Sequence, residues 1–154
     1  SLEVFDKLLN EHNNIQAVKE STRDVSNVTR LKNRFGDRLS VMCGVDTLAL
    51  ESFVLGADGW VAGLVCAFPK ETVHLYQLCE QQRWAEARAL YRWFLPLLEL
   101  DIHPKLVQYI KLAEQLCGLG TEYVRPPRLV LSGTERESII KIIETGLRTR
   151  PQLD

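Results

Sequence analysis

Short apolar runs alternate with helical periodicity along the first half of this chain, and that alternation restricts the fold more than any other feature. The runs cover residues 15–21, 39–44 and 60–65, and a segment with apolar residues three or four positions apart follows each of them. Alternating strands and helices with short connections are typical of a parallel sheet built from βαβ units. We therefore predict an α/β fold, either a doubly wound sheet or a (β/α) barrel.

The composition of the runs predicts how deeply the strands are buried. Each run is apolar along its length rather than at alternate positions, which is typical of strands covered on both faces. Gly59 and Gly63 flank the start of the third run and indicate that other groups approach the backbone closely there.

Turn and capping residues bound the predicted helices. Those helices cover residues 2–10, 25–35, 47–55, 69–82, 84–98, 103–117 and 135–146. Ser132 with Glu135, or Thr134 with Glu137, predicts a capping box at the start of the last one. No strand is predicted after residue 69, so we divide the chain into a partial barrel, 1–82, and a C-terminal helical region, 83–154.

Charge and cysteine usage argue against several classes of function. The 154 residues carry a formal net charge of −1 and 45% are hydrophobic, which gives no electrostatic basis for binding nucleic acid or an anionic membrane. No apolar run approaches the ~20 residues of a membrane-spanning helix. The four cysteines show neither CxxC spacing nor paired His/Cys ligands, which indicates reduced thiols in the cytoplasm and no metal site.

Lys19 lies within the first apolar run, where a charged side chain is unusual. Burying an ammonium group costs several kcal/mol unless it is compensated, whereas a neutral amine is the nucleophile that attacks a ketone. Catalytic groups of barrel enzymes lie at the carboxyl ends of strands. The pattern alone leaves two interpretations open: a nucleophilic lysine, or a lysine at a strand end with its ammonium in solvent.

Several segments of the chain, in order, resemble motifs of the dihydrodipicolinate synthase/N-acetylneuraminate lyase family. The segment 17–24, Ala-Val-Lys-Glu-Ser-Thr-Arg-Asp, is similar to the Lys-Glu-Ser-Ser-Gly-Asp motif that contains the Schiff-base lysine of that family. Met42 to Asp46 resembles the Gly-Asp-Asp turn after strand seven, and Gly56 to Val61 resembles the approach to strand eight. Further similar segments are His103-Pro104-Lys105, Gly118-Leu119-Gly120, Arg125-Pro126-Pro127 and Leu131-Ser132.

The resemblance implies a fold and a site. The chain would be the C-terminal half of a (β/α)8 TIM barrel, followed by additional helices. A whole barrel has eight strands and ~250 residues, so we expect this chain to be part of a larger protein. Lys19 would be the catalytic nucleophile, and the backbones of Gly44 and Val61 would lie near the substrate. The family needs no metal or organic cofactor, and its members often form homodimers or homotetramers.

The implied chemistry is that of a lyase acting on pyruvate or another 2-oxo acid through a lysine iminium. The family's paired threonines and its proton-shuttling tyrosine belong to strands one to five, and no residue here corresponds to them. Val45 in place of an acidic residue and Arg23 in place of a glycine resemble the catabolic members. Those members include dehydratases of 2-keto-3-deoxy sugar acids and the deaminase of 4-hydroxy-1-pyrroline-2-carboxylate. The alternative is a truncated, non-catalytic barrel fragment that only folds or associates.

Overall fold

The computed structural model describes residues 1–153 and divides into two compact units, the first being Ser1–Val61 and the second beginning at Ala62. The first unit alternates helices and strands: α1 (Leu2–Glu11), β1 (Ala17–Glu20), α2 (Ser26–Phe35), β2 (Ser40–Cys43), α3 (Ala49–Val54) and β3 (Gly59–Trp60). Short 3-10 helices at Gly36–Arg38 and Asp46–Leu48 lie on either side of β2. The predicted alternation of strands and helices is confirmed.

The three strands form one parallel sheet in the order β1-β2-β3. Lys19 pairs with Met42 and Met42 with Gly59, so these residues lie side by side on one face of the sheet. The other face is the buried one, since Val41 and Cys43 of β2 are almost fully covered. The helices α2 and α3 both contact β2.

The expectation that every strand is buried on both faces is wrong. Burial alternates along β1, where Ala17 and Lys19 are exposed while Val18 and Glu20 are half-buried. β1 is an edge strand in the described residues 1–153, and no helix of the first unit covers the face that carries Lys19. Burial therefore follows the neighbours that a strand has, which an apolar run alone does not reveal.

The third strand is much shorter than predicted. It covers Gly59–Trp60 instead of 60–65, and Leu64–Cys66 form a 3-10 helix. The last ladder bond runs from the Val61 N–H to the Cys43 carbonyl, at 2.9 Å. β2 ends at Cys43 and a 3-10 helix begins at Asp46, so residues beyond Val61 have no strand to pair with. The glycines do mark close approaches: a β-carbon at Gly59 would lie 2.4 Å from Met42 Cε, and one at Gly63 would lie 2.0 Å from Asp101 Oδ1.

The second unit is helical. It contains α4 (Pro69–Glu80), α5 (Trp84–Leu98), α6 (Leu106–Leu116) and α7 (Gly133–Arg148), with a 3-10 helix at Glu99–Ile102. Its core is built around Phe68 and Phe94, both fully buried, with ring centroids 5.8 Å apart in an edge-to-face arrangement. No helix within residues 1–153 is long and apolar enough to cross a bilayer.

The predicted capping box at the start of α7 is wrong. Ser132 is the N-cap residue, but its side chain makes no capping hydrogen bond. Glu135 instead accepts hydrogen bonds from Lys105 Nζ at 2.6 Å and from the Tyr109 hydroxyl at 2.9 Å. The boundary between residues 82 and 83 rests on the types of element on each side and remains a prediction, whereas contacts divide the chain between Val61 and Ala62.

Candidate active site

Lys19 lies near the carboxyl end of β1, on the exposed face of the sheet. Side chains alternate between faces along a strand, so Lys19 shares its face with Ala17. Its register partner Met42 lies next to it on β2, and Gly59 of β3 lies beyond Met42. Because Gly59 has no side chain, the methionine thioether extends over its backbone. Lys19, Met42 and Gly59 therefore form a row across the three strands, and Lys19 lies at one end of it.

Gly44 lies directly against Lys19. Its N–H donates to the Glu20 carbonyl at 2.8 Å and continues the ladder one residue beyond the strands. A β-carbon at this position would lie 2.7 Å from Lys19 Cγ and 2.8 Å from the Glu20 carbonyl oxygen. The Ser21 hydroxyl donates to the Gly44 carbonyl at 3.3 Å. Glycine at position 44 thus makes room for the stem of the lysine side chain.

The loop after Lys19 is fixed by its own side chains. The Thr22 N–H donates to Glu20 Oε1 at 2.6 Å, and Arg23 adopts a positive φ of 65°. Asp24 accepts from the Ser26 N–H at 3.1 Å and pairs with Arg30 at 2.6 Å. The hydrogen bonds from Arg30 and Ser26 lower the pKa of Asp24 to about 2. The loop at the end of β1 is therefore held in a defined conformation.

Val61, the third predicted site residue, follows β3 at the same edge of the sheet. It lies two positions after Gly59 and is 44% exposed. The Val61 N–H donates to the carbonyl oxygen of Cys43, the residue that precedes Gly44. The structure thus brings Lys19 and Gly44 into contact and places Val61 at the carboxyl end of the last strand of the sheet.

A buried carboxylate supports this edge of the sheet from the opposite face. Asp46 is fully buried, and its Oδ1 accepts a hydrogen bond from Trp60 Nε1 at 3.0 Å. The Trp60 ring also packs edge-to-face on Phe53, with centroids 6.4 Å apart. The segments after β2 and at β3 are therefore linked by a side-chain contact that burial strengthens.

Sequence reasoning missed two residues near Lys19. Ser21 follows it by two positions and presents a hydroxyl beside Gly44, and Met42 is its register partner. Alternation from Lys19 identifies position 21 on the same face, but Met42 requires knowledge of the register. The first unit contains no tyrosine, since the tyrosines of the chain are at positions 76, 91, 109 and 123. A phenol that could move protons at Lys19 is thus absent from this unit.

The described part of the chain contains no group of side chains that could bind a metal ion together. No three or more His, Cys, Asp or Glu side chains within residues 1–153 are placed to hold an ion. The Cys43 thiol below the site is buried, and this burial raises its pKa, which opposes formation of a thiolate ligand.

Comparison with known proteins identifies the family to which this sheet and its lysine strand belong. The sequence model of the dihydrodipicolinate synthetase family matches residues 1–146. The chain belongs to the dihydrodipicolinate synthetase family. Among curated members, the 4-hydroxy-tetrahydrodipicolinate synthase of Geotalea daltonii is 29% identical over 140 residues, which are 88% of this chain and 47% of that protein. An uncharacterized DapA-like lyase of Pyrobaculum arsenaticum is 30% identical over 156 residues, covering 95% of this chain and 52% of that protein.

Solved structures of the dihydrodipicolinate synthetase family share the fold. The crystal structure of dihydrodipicolinate synthase from Aquifex aeolicus is similar with a TM-score of 0.85 and 25% identity, over 94% of this chain and 50% of that one. The chain spans about half the length of the curated relatives that it matches. Its sheet and helices therefore correspond to half of a TIM-barrel enzyme of this family, as the sequence analysis predicts.

Proposed function

We propose that Lys19 forms a Schiff base with a 2-oxo acid, and that the protein containing this chain is a lyase of the dihydrodipicolinate synthetase family. The observation that carries the proposal is the contact between Lys19 and Gly44 at the carboxyl edge of a parallel sheet. Catalytic groups of TIM-barrel enzymes lie at this edge. The family membership supports the same reading of Lys19.

The proposed reaction begins with the amine of Lys19. Its nitrogen attacks the C2 carbonyl of pyruvate or another 2-oxo acid, and loss of water leaves an iminium. The iminium accepts the electron pair of a bond at C3, so a proton or a carbon group departs and an enamine forms. The enamine then adds to an electrophile or expels a leaving group from C4, and hydrolysis regenerates the lysine.

The residues near Lys19 would hold the substrate rather than transfer its protons. Gly44 and Val61 present backbone at the sheet edge, where a bound 2-oxo acid would lie. Ser21 adds a hydroxyl beside Gly44. The proton transfers need partners outside this unit, since it contains no tyrosine. We therefore propose that catalysis requires the further strands of the barrel, which the longer relatives contain and this chain does not.

The narrower proposal concerns substrate. Val45 is buried where the family motif has an acid, and Arg23, which has a φ of 65°, stands where the motif has a glycine. These departures favour the catabolic members, which dehydrate 2-keto-3-deoxy sugar acids or deaminate 4-hydroxy-1-pyrroline-2-carboxylate. A panel of these acids and pyruvate, offered to the full-length protein, tests this assignment. Turnover of pyruvate with an aldehyde, without turnover of the others, contradicts it.

Trapping with borohydride tests the proposed nucleophile. The full-length protein is mixed with pyruvate, reduced and digested, and we expect a stable adduct on the peptide that contains Lys19. Lys19→Ala should abolish the adduct, while Lys7→Ala, which removes another exposed lysine of the first unit, should leave it unchanged. Absence of an adduct with every acid of the panel would favour the alternative, a non-catalytic fragment.

The assembly and location of the protein are proposed on the same basis. We expect a homodimer or homotetramer in the cytoplasm, with a small-molecule 2-oxo acid as the substrate. Light scattering of the full-length protein tests the oligomeric state, and a monomer would contradict it.

A further inference from the structure

Two backbone segments of the candidate site lie side by side at the carboxyl edge of the sheet. Cys43 and Trp60 are register partners on β2 and β3, and the Val61 N–H donates to the Cys43 carbonyl at 2.9 Å. Gly44 follows Cys43 directly, so the backbones of Gly44 and Val61 are neighbours across the end of the ladder. The substrate proposed for Lys19 would meet both segments, and its affinity would depend on the spacing between them.

The backbone holds Gly44 and Val61 unequally. β1 and β2 pair over four residues, and the Gly44 N–H extends this ladder by donating to the Glu20 carbonyl at 2.8 Å. β3 is two residues long, and its ladder with β2 ends at the bond from Val61. Gly44 therefore stays beside Lys19, whereas the position of Val61 depends on side-chain contacts at the end of β3.

A side-chain hydrogen bond on the buried face of the sheet supplies such a contact. Asp46 lies two positions after Gly44. Trp60 directly precedes Val61, and its Nε1 donates to Asp46 Oδ1 at 3.0 Å. The carboxylate is fully buried, where a hydrogen bond is stronger than in water. The Trp60 ring also packs against Phe53 of α3, with the ring centroids 6.4 Å apart. The bond thus ties the end of β3 to the segment that contains Gly44.

Burial and strand alternation exclude a direct contact between either side chain and a substrate on the exposed face. Asp46 has no accessible surface. Trp60 lies on the face opposite to Val61, because successive side chains alternate along a strand. An effect of this pair on the substrate therefore passes through the backbone at Val61.

We propose that Asp46 and Trp60 are positioning residues, whose hydrogen bond sets the spacing of the two backbone segments and thereby the affinity for the 2-oxo acid. The inference rests on the function proposed for Lys19. Breaking the bond lets Val61 move away from Gly44, so the substrate loses contacts with one of the two segments. Lys19 keeps its position, so it reacts at an unchanged rate once the substrate is saturating.

Trapping over a range of pyruvate concentrations separates affinity from reactivity. The full-length protein is incubated with pyruvate and cyanoborohydride, and adduct formation gives a half-saturating concentration and a maximal rate. Trp60→Phe keeps an aromatic ring but removes the N–H donor. It should raise the half-saturating concentration about tenfold, the effect of one lost hydrogen bond. The maximal rate should stay within about twofold of wild type, because the change concerns binding. Loss of stability alone would lower the maximal rate without changing the half-saturating concentration.

Variants of Asp46 assign the effect to the hydrogen bond. Asp46→Ala removes the acceptor and should raise the half-saturating concentration as much as Trp60→Phe. The double variant should do no more than either change alone, because each breaks the same bond. Asp46→Asn keeps an oxygen that accepts from the indole N–H and should restore the wild-type value. Trp93→Phe is the matched control: it removes an indole hydrogen bond to the Gly146 carbonyl in the second unit and should leave the concentration unchanged.

The outcomes distinguish this inference from the proposed function. Failure of the wild-type protein to form an adduct overturns the function proposed for Lys19 and this inference with it. An adduct with the wild type, together with an unchanged half-saturating concentration in Trp60→Phe, overturns the positioning role alone. A fall only in the maximal rate, or an Asp46→Asn variant as impaired as Asp46→Ala, overturns that role as well. Trp60→Phe decides the question by itself if Asp46→Ala fails to fold.

Discussion

Gly44 leaves no space for a β-carbon beside Lys19, because such an atom would lie 2.7 Å from Lys19 Cγ. The same atom would lie 2.8 Å from the carbonyl oxygen of Glu20, which is backbone and cannot rotate away. The glycine therefore admits the lysine stem, and the ladder bond between Gly44 and Glu20 fixes the position of the glycine. This relationship makes the orientation of Lys19 sensitive to a single methyl group.

Gly44→Ala is expected to disturb both stability and the reactivity of Lys19. Overpacking should lower the free energy of unfolding by about 1–3 kcal/mol. Displacement of the lysine should slow trapping by pyruvate and borohydride on the order of ten- to a hundredfold. Urea unfolding and quantified adduct formation measure the two effects. Gly120→Ala is the matched control, since the nearest atom to its β-carbon would be Glu114 Oε2 at 2.5 Å, the far end of a flexible side chain rather than backbone. An alanine at position 44 without effect on trapping would contradict the role of Gly44.

Arg23→Gly is expected to stabilise the protein. Arg23 has a φ of 65°, a conformation that costs a residue with a β-carbon about 1–2 kcal/mol. Glycine removes this cost, although its greater freedom in the unfolded state cancels part of the gain. The free energy of unfolding should therefore rise by about 0.5–1 kcal/mol in urea titrations. Arg23→Ala keeps the strain and should give no gain, so equal stabilisation by both variants would show that removal of the charge is responsible.

The fold could be predicted from the sequence where local pattern decides it. The helix predicted at 84–98 coincides with α5, Trp84–Leu98, because its apolar residues recur with helical spacing. The third strand could not be predicted in the same way. Its length depends on where β2 ends, and residues 62–65 are apolar whether or not a partner is present. The capping box failed for a similar reason, since Tyr109 and Lys105 are distant in sequence and hold Glu135.

The candidate site was predictable to the extent that it lies in a motif. The segments that contain Lys19, Gly44 and Val61 resemble a family, which predicts all three as site residues. Contact between Lys19 and Gly44 follows because they lie on adjacent parallel strands. The position of Met42 beside Lys19 depends on the register of the two strands, which the sequence does not specify. Outside the candidate site, the hydrogen bond from Arg150 to Glu71 joins residues 79 positions apart, so no local pattern predicts it.

Trp60→Phe is expected to destabilise the protein through Asp46. The variant keeps an aromatic ring near Phe53 but removes the N–H that donates to the buried carboxylate at 3.0 Å. Loss of a donor to a buried charge should cost about 1.5–3 kcal/mol in the free energy of unfolding. Trp93→Phe is the comparison, because Trp93 Nε1 donates to the neutral Gly146 carbonyl at 3.2 Å. Loss of this hydrogen bond should lower the free energy of unfolding by about 0.5–1.5 kcal/mol. A smaller loss for Trp60→Phe than for Trp93→Phe would contradict the importance of the charge.

Asp58 should make the stability of the protein depend on pH in the acidic range. Partial burial alone would raise its pKa, but the hydrogen bonds from Lys32 Nζ at 2.6 Å and from the Val41 N–H at 2.7 Å outweigh burial and lower it. A group whose pKa is lower in the folded state stabilises the fold above the pKa of the unfolded chain. The contribution should therefore be complete above about pH 5 and lost as the pH falls through and below about 4.

The matched variant for this effect is Asp58→Asn. At pH 7 it should lower the free energy of unfolding by at most about 1 kcal/mol, because the carboxylate is partly exposed and solvent weakens its ion pair. The difference between the wild type and the variant should shrink as the pH falls from 5 to 2, when the wild-type carboxyl becomes protonated. Urea titrations at several pH values measure it. A difference that stays constant over this range would mean that Asp58 acts through the shape of its side chain, because only an ionised carboxylate gives a contribution that disappears in acid.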